Sequence, residues 1–489
     1  MERLNKQISG GHPIYPEKVL QFGEGNFLRA FVDWQIDVLN KETDFNGSVV
    51  VVQPRGSEKI TRLNEQDGLF TLYLQGMKDG AAVNEHMVVN SISRGIHLGN
   101  EYDQYVKLAG SDQLRFIISN TTEAGIYFEE TDKLEDRPQK SFPGKLTAFL
   151  YHRFEAFNGD IRKGCVIIPC ELIEENGARL KEIVLQFANT WNLGDEFVTW
   201  IHKANTFCNS LVDRIVPGFP KDSIDEMTKE LGYRDELLVV GEQYHQWVIE
   251  GPQWIKKEFP IDKAGLNAFI VDDLTPYRIQ KVRILNGSHT AMTPVAYLSG
   301  LDTVADAVND EATGSFIQKL ILEEIIPTLE MPEEELKEFA EDVLNRFKNP
   351  YMKHYLMSIS LNSTSKFRAR NLPTLLDYVE KKACLPHRMV FSLSALLSFY
   401  KGKRGKEVIP LEDDPMVLQW FEDSWKSVAN ETMKVEQLVQ STLGNQEIWG
   451  RDLNQVAGLT DLVTEYLKQI EQSGMESALE TVMKEQSVK

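Results

Sequence analysis

Cysteine is scarce in this chain: Cys165, Cys170, Cys208 and Cys384 are the four in 489 residues. None forms a Cys-x-x-Cys pair, so a disulfide framework and a cysteine-rich metal site are both excluded. Cys165, Cys170 and Cys208 stand among apolar neighbours and read as buried thiols. No apolar run approaches the ~20 residues that span a bilayer. The opening Met-Glu-Arg-Leu-Asn-Lys-Gln lacks the apolar stretch of a signal peptide, and a reducing cytoplasm is the expected compartment. Positive charge is also in deficit, with 53 Lys and Arg against 73 Asp and Glu for a formal charge of −20. That balance excludes general nucleic-acid binding and disfavours an anionic membrane surface. It leaves room for a small anionic substrate, because cations can be gathered locally in a cleft. No His-Glu-x-x-His or clustered Cys/His signature is present, so no metal is expected.

What is present is an ordinary globular composition, 42% hydrophobic and 26% charged, in a chain too long for one core. Continuous apolar runs suit parallel strands covered on both faces. They occur at Val19–Phe22, Ser48–Val52, Leu114–Ile118 and Cys165–Cys170. Asp235–Val240 and Tyr244–Ile249 also predict strands. Between the first two runs, Phe27, Leu28, Phe31, Trp34, Ile36, Val38 and Leu39 recur near helical spacing, with Trp34 in the core. Beyond Pro276 the texture changes to amphipathic segments, among them Ser315–Leu329, Glu333–Arg346, Leu375–Lys382, Met389–Tyr400 and Val456–Gln472. Glu333-Glu-Glu335 predicts a helix start favoured by the dipole, and the polar last fifteen residues are expected to fray. The expected architecture is a Rossmann-type, doubly wound α/β domain over residues 1–275 and a mostly α-helical domain over 276–489.

Two segments carry chemistry. Gly23-x-Gly25 joins the first strand to the first helix, where backbone N–H groups and the helix dipole suit a nucleotide pyrophosphate. The third glycine of the usual pattern is replaced by Leu28. Polar residues Asn120, Thr122 and Glu123 follow the third apolar run and would face the ligand crevice. Thr122 or Asn120 could equally cap a helix. The second strand ends in Gln53-Pro-Arg55-Gly56 without a carboxylate for the ribose. Arg55 suits a 2′-phosphate or is an exposed loop arginine, so the choice between NAD and NADP stays open at this point.

The second segment is Tyr277–His289, on a predicted helix. On ideal α geometry His289 lies roughly 80° and Asn286 roughly 140° round from Lys281. A lysine freed of water can exchange a proton with a reacting oxygen. An amide and an imidazole can polarise the same oxygen. The alternative is a solvated helix face, but the segment's position directly after the α/β half favours catalysis.

Gly23-x-Gly25-x-Phe27-x-Arg29, Leu211-Val-Asp-Arg-Ile-Val-Pro217, Lys281-x4-Asn286-x2-His289 and Asn349-Pro350 with Lys366 occur in that order. Together they resemble the polyol-specific long-chain dehydrogenases, the mannitol dehydrogenase family. The resemblance implies a metal-independent NAD oxidoreductase acting on CH–OH, with Lys281 as acid–base and Asn286 and His289 on the reacting oxygen. It implies cofactor contacts at Phe22, Gly23, Gly25, Asn26, Phe27 and Arg29. Gln21–Trp34 and Ser358–Phe367 look most like members that reduce a keto-uronate to an aldonate, with Asp213 and Lys366 at the substrate. Two positions depart from the sugar-alcohol members: Leu172 replaces an asparagine donor and Ser358 an arginine. A substrate carboxylate needs a cation, for which Lys366, Arg368 and Arg370 are candidates. His354 reads as a packed helix histidine.

Overall fold

The structure, a computed structural model, describes residues 1–53, 58–78, 80–122 and 124–485. Arg55 and Glu123 therefore lie outside the described residues. Two compact units emerge. One comprises Met1–Gly76 and Val83–Leu274, the other Met77–Ala82 and Thr275–Lys489.

The first unit is built on six parallel strands: β1 (Glu17–Phe22), β2 (Ser48–Gln53), β3 (Ile92–His97), β4 (Phe116–Ser119), β5 (Val166–Pro169) and β6 (Thr206–Phe207). Their order is β3-β2-β1-β4-β5-β6. The direction of winding reverses between β1 and β4, and ligands of such sheets bind outside the carboxyl ends at that reversal. Every residue of β2, β4 and β5 is buried, which is why these strands are continuous apolar runs. Alternate residues feed two cores. Val19, Val49, Val51 and Ile118 pack on one face with the helix after β1. Leu20, Phe22, Val50, Val52 and Ile117 pack on the other with helix Phe142–Ala156.

One strand expectation and one helix-cap expectation change. Of the Asp235–Val240 run only Val239 and Val240 belong to a strand, Val239–Glu242, which pairs with Phe70–Lys78. Asp235 instead accepts from the backbone N–H groups of Thr71 and Leu237 and from Gln66 Nε2, which turns the chain there. Asn120 and Thr122 cap no helix. The next one is Phe142–Ala156, and its cap is Ser141, whose hydroxyl accepts from Gly144 N.

The second unit is helical. Its centre is the pair Ser288–Leu298 and His387–Phe399, almost wholly buried. Helices apolar all round must be enclosed by others, and here Leu459–Ser473 is one of them. Ser392 Oγ donates to Ala291 O at 2.8 Å and ties the central pair together. The expected fraying of the last fifteen residues is corrected as far as Glu485, since Met475–Glu485 is a helix, and residues 486–489 lie outside the described residues. Met475, Ala478, Leu479 and Val482, spaced three, one and three apart, are all buried.

Candidate active site

In the first unit β1 delivers Gly23 to the sheet's carboxyl edge. Gly23 N donates to Val52 O and Asn120 N to Phe22 O, each at 3.1 Å, so the turn is sewn to both neighbouring strands. Gly23 has φ +124°, and a Cβ there would sit 2.9 Å from both Asn120 O and Leu28 Cδ1. Only glycine meets both demands. Gly25 is the opposite case, with open space around its missing Cβ. It begins the helix that runs through Asn26–Leu28, Arg29–Asp33 and Trp34–Glu42 with no side-chain cap. Its first-turn N–H groups are thus available to an anion, and a dinucleotide's pyrophosphate fits this cradle.

The remaining predicted cofactor residues divide by burial. Phe22 is fully enclosed, its ring against Tyr105 and Phe142, and only its backbone reaches the turn. Arg29 is also buried: its guanidinium donates to Glu24 O, Asn26 Oδ1 and Leu237 O, and so holds the loop from beneath. Asn26 and Phe27 are half-buried, with Phe27 stacked on Phe31 at 5.0 Å. Asn120 Nδ2 donates to Cys170 O at 2.7 Å, linking the ends of β4 and β5. Thr122 has φ +141°, a strained conformation for a β-branched residue. Glu171 was missed in the sequence. It is buried and accepts from Ser119 Oγ, Thr121 N and Thr121 Oγ1, each at 3.0 Å, fixing the loop before Thr122. Burial pushes its carboxyl above the usual range while those donors pull it down.

Gly23→Ala is expected to unfold or loosen this turn. Forcing a Cβ into that φ and that gap costs about 1–3 kcal/mol. Thermal melting and NADH titration by fluorescence should both fall. Unchanged values in both would show that the turn tolerates a side chain.

In the second unit the predicted helix Tyr277–His289 is not uniformly α. Thr275–Gln280 is α-helical, Lys281–Gly287 is π-helical, and Ser288–Leu298 is α-helical again. The ideal-helix angles are therefore corrected. In a π segment residue i bonds residue i+5, and Lys281 and Asn286 are five apart. The wider turn brings them towards one side of the helix. Side chains add donors at the end of the segment: Thr290 Oγ1 donates to Asn286 O at 2.9 Å and Asn371 Nδ2 to Gly287 O at 2.9 Å. Such interruptions cluster at functional sites.

Lys281 and Asn286 are half-buried and His289 is buried. The His289 ring lies 4.4 Å from Phe347 and edge-on to His354 at 5.1 Å, centroid to centroid. Burial drives the imidazole well below its ordinary range, and the charges of His354, Arg346, Arg370 and Lys366 add to this. His289 is neutral, and its Nε2 is buried with no hydrogen-bond partner among the described residues. Helix Ser363–Arg370 packs against the π segment. It carries Lys366, whose Nζ donates to Ile359 O at 2.8 Å, and Arg370, whose Nη1 donates to Thr290 Oγ1 at 3.2 Å. Burial, then the neighbouring Arg370, lower the Lys366 pKa. Arg368 points elsewhere, towards the carbonyls of Glu447 and Ile448. His354 is corrected from a helix position to the irregular segment before Leu356–Ile359. Thr290, Arg346 and Asn371 were not anticipated; Thr290 follows His289 directly, whereas Arg346 and Asn371 come near the triplet only through folding.

Asp213 lies in the first unit, buried at the end of Asn209–Asp213 and paired in register with Gln246. Leu172 is exposed, 61% of its surface being accessible, so it offers no polar group to replace the family asparagine. Among the described residues no group of three His, Cys, Asp or Glu is arranged to hold a metal.

A doubly wound dinucleotide-type unit and a helical unit bearing Lys and Asn on a π turn, with His in the α-helix that follows, define a class of two-domain dehydrogenase. The Mannitol dehydrogenase Rossmann domain matches residues 17–263 and the Mannitol dehydrogenase C-terminal domain matches residues 273–471; the chain belongs to the mannitol dehydrogenase family. It is an oxidoreductase acting on CH–OH groups. It is 63% identical to the altronate oxidoreductase of Bacillus subtilis (strain 168), over 98% of both chains. To that of Yersinia enterocolitica it is 46% identical, over 98% of this chain and 99% of the relative. Among solved structures, substrate-free D-sorbitol dehydrogenase has a TM-score of 0.79 at 22% identity, covering 98% of this chain and all of that one, 100%. Pseudomonas fluorescens mannitol 2-dehydrogenase, in a ternary complex with NAD and D-mannitol, has a TM-score of 0.64 at 23% identity, over 99% of each. These two likenesses describe the fold.

Proposed function

We propose that the chain reduces D-tagaturonate to D-altronate with NADH, reversibly and without a metal. The observation that carries this reading is the full-length 63% identity to an altronate oxidoreductase. The cations around His289 support an acid sugar: Lys366, Arg370 and Arg346 gather in a chain of net charge −20. When bound, the nicotinamide supplies the hydride. Gly23, Gly25, Asn26 and Phe27 would hold the dinucleotide from one strand end, with Asn120 and Thr122 at the next and Arg29 bracing the turn.

Lys281 gives its proton to the substrate oxygen during reduction and takes it back during oxidation. Asn286 and the orphaned Nε2 of His289 hydrogen-bond that oxygen, which leaves the ammonium as the charged donor of the set. Lys366 and Arg370 receive the carboxylate, and Asp213 belongs to the substrate-binding residues. The compartment is the cytoplasm, in keeping with the four free cysteines and with the lack, among the described residues, of a helix long and apolar enough to cross a membrane. The partner is the small sugar acid rather than nucleic acid.

A spectrophotometric panel tests this reading, pairing NADH and NADPH with tagaturonate, fructuronate and fructose. NADH with tagaturonate should give the highest kcat/KM. Preference for fructose or fructuronate would reassign the substrate, and preference for NADPH the cofactor.

A further inference from the structure

Beneath the Gly23 turn lies a polar pair that the reaction does not use. Asp33, the last residue of the π-helical Arg29–Asp33, is wholly buried. Gln21, on β1, is buried as well. Gln21 Nε2 donates in two directions, to Gly23 O and to Asp33 Oδ2, each at 3.1 Å. The amide is thus the strut between Asp33 and the turn. The other arm of the pair is unmatched. Gln21 Oε1 and Asp33 Oδ1 are both buried acceptors without a donor. Two orphaned acceptors on one already bonded amide–carboxyl pair describe a missing proton. A carboxylate has none to give, whereas a carboxylic acid donates from Oδ1 to Oε1 and satisfies both atoms at once.

We propose that Asp33 is a positioning residue that carries a proton in the native enzyme, forming a two-armed acid–amide pair with Gln21 that holds the Gly23 carbonyl and hence the cofactor turn.

The surroundings agree. The pair borders a cavity of about 10 Å³ walled on one side by Val51, Leu63 and Ile92. The charged groups there are Arg29, from Asp33's own helix, Glu24, from the turn, and Lys59, from helix Glu58–Glu65. Lys59 and Glu24 face each other at 3.6 Å and largely cancel. Arg29 gives its Nη donors to Glu24 O, Asn26 Oδ1 and Leu237 O, and its buried Nε bonds neither Asp33 nor any other described group. Burial raises the Asp33 pKa to about 7, against the pull of Gln21 and Arg29. The pKa is raised on folding, so the folded chain holds a proton that the unfolded one releases. Stability from this group is therefore complete below the ordinary value of 3.8, declines as pH rises, and is lost above about 7.

The proposal rests on the cofactor reading of the turn only for its second measurement. First, Asp33→Asn and Asp33→Leu are melted as apo-protein across pH 5 to 8.5. An asparagine amide can donate to Oε1 and accept from Nε2, so Asp33→Asn keeps both arms at every pH. Its melting-temperature advantage over the wild type should be small at pH 5 and widen steadily towards pH 8.5, while Asp33→Leu falls below Asp33→Asn at both. The infrared difference spectrum of wild type minus Asp33→Asn at pH 6 should show a protonated-carboxyl band, over the shared background of other raised carboxyls such as Glu324. If Asp33→Asn is less stable throughout or fails to fold, Asp33 works as an ionised carboxylate, for instance on a water in the small cavity, and the proposal is overturned. Second, NADH affinity of the wild type should weaken severalfold from pH 6 to 8.5 while that of Asp33→Asn stays within twofold. Equal pH dependence in the two proteins would overturn the positioning role even if the melting curves behave as expected.

Discussion

Lys281→Ala is expected to slow keto-uronate reduction by about 100- to 10,000-fold, the usual yield of a positioned acid–base group, while NADH affinity stays within about twofold. The other two members of the triplet are poorly suited to proton exchange. Asn286 can orient an oxygen but exchanges no proton near neutral pH. His289 is held neutral by burial and by surrounding cations, so it serves as a hydrogen-bond partner rather than a charged acid. Lys281 is the member of the triplet whose amine can both give and take that proton. Loss should appear in kcat, because the proton is needed only as the alkoxide develops. Added methylamine should restore part of the rate to Lys281→Ala and none to Asn286→Ala. Turnover within tenfold of wild type would remove Lys281 from the acid–base role.

Much of this arrangement could be read before folding was known, and the reasons for what could not are physical. The strands Ser48–Gln53 and Val166–Pro169 announced themselves because parallel strands buried on both faces need unbroken apolar runs. The helical half was legible from its 3.6-residue periodicity, as in Glu333–Phe347 with its acidic first turn. The C-terminal helix was overlooked because polar residues dominate it, although Met475, Ala478, Leu479 and Val482 make a regular apolar stripe. The π segments Arg29–Asp33 and Lys281–Gly287 were invisible. Propensity does not distinguish i+4 from i+5 bonding, and what stabilises the wider turn comes from elsewhere in the chain. Around Arg29–Asp33, Arg214 donates to Ala30 O. Around Lys281–Gly287, Asn371 and Thr290 add donors at the end of the segment. Partners far apart in sequence, such as Glu171 with Thr121, leave no local trace either. The signal for them was available only in hindsight, as polar residues standing at otherwise buried positions.

Neutralising the cations of Ser363–Arg370 should separate charged from uncharged substrates. Arg370→Leu is expected to raise KM for the keto-uronate roughly 10- to 100-fold, since a hydrogen bond to a charged group contributes about 1.5–3 kcal/mol. The KM for fructose, which has no carboxylate, should move far less. Lys366→Met should act in the same direction but more weakly, because its ammonium is already engaged with Ile359 O. In both variants kcat at saturation should change less than KM, as expected for binding shared by ground and transition states. The same substitutions give a second, independent reading. Arg370 and Lys366 each help to depress the His289 imidazole, after burial itself. Removing either should raise the His289 pKa, observed by NMR, yet leave it below the ordinary histidine range, because desolvation is the larger cause. A parallel rise in KM for keto-uronate and fructose would mean that helix Ser363–Arg370 supports the shape of the pocket rather than its charge. The carboxylate would then have to be sought at Arg346, which also bears on His289 from helix Glu333–Phe347.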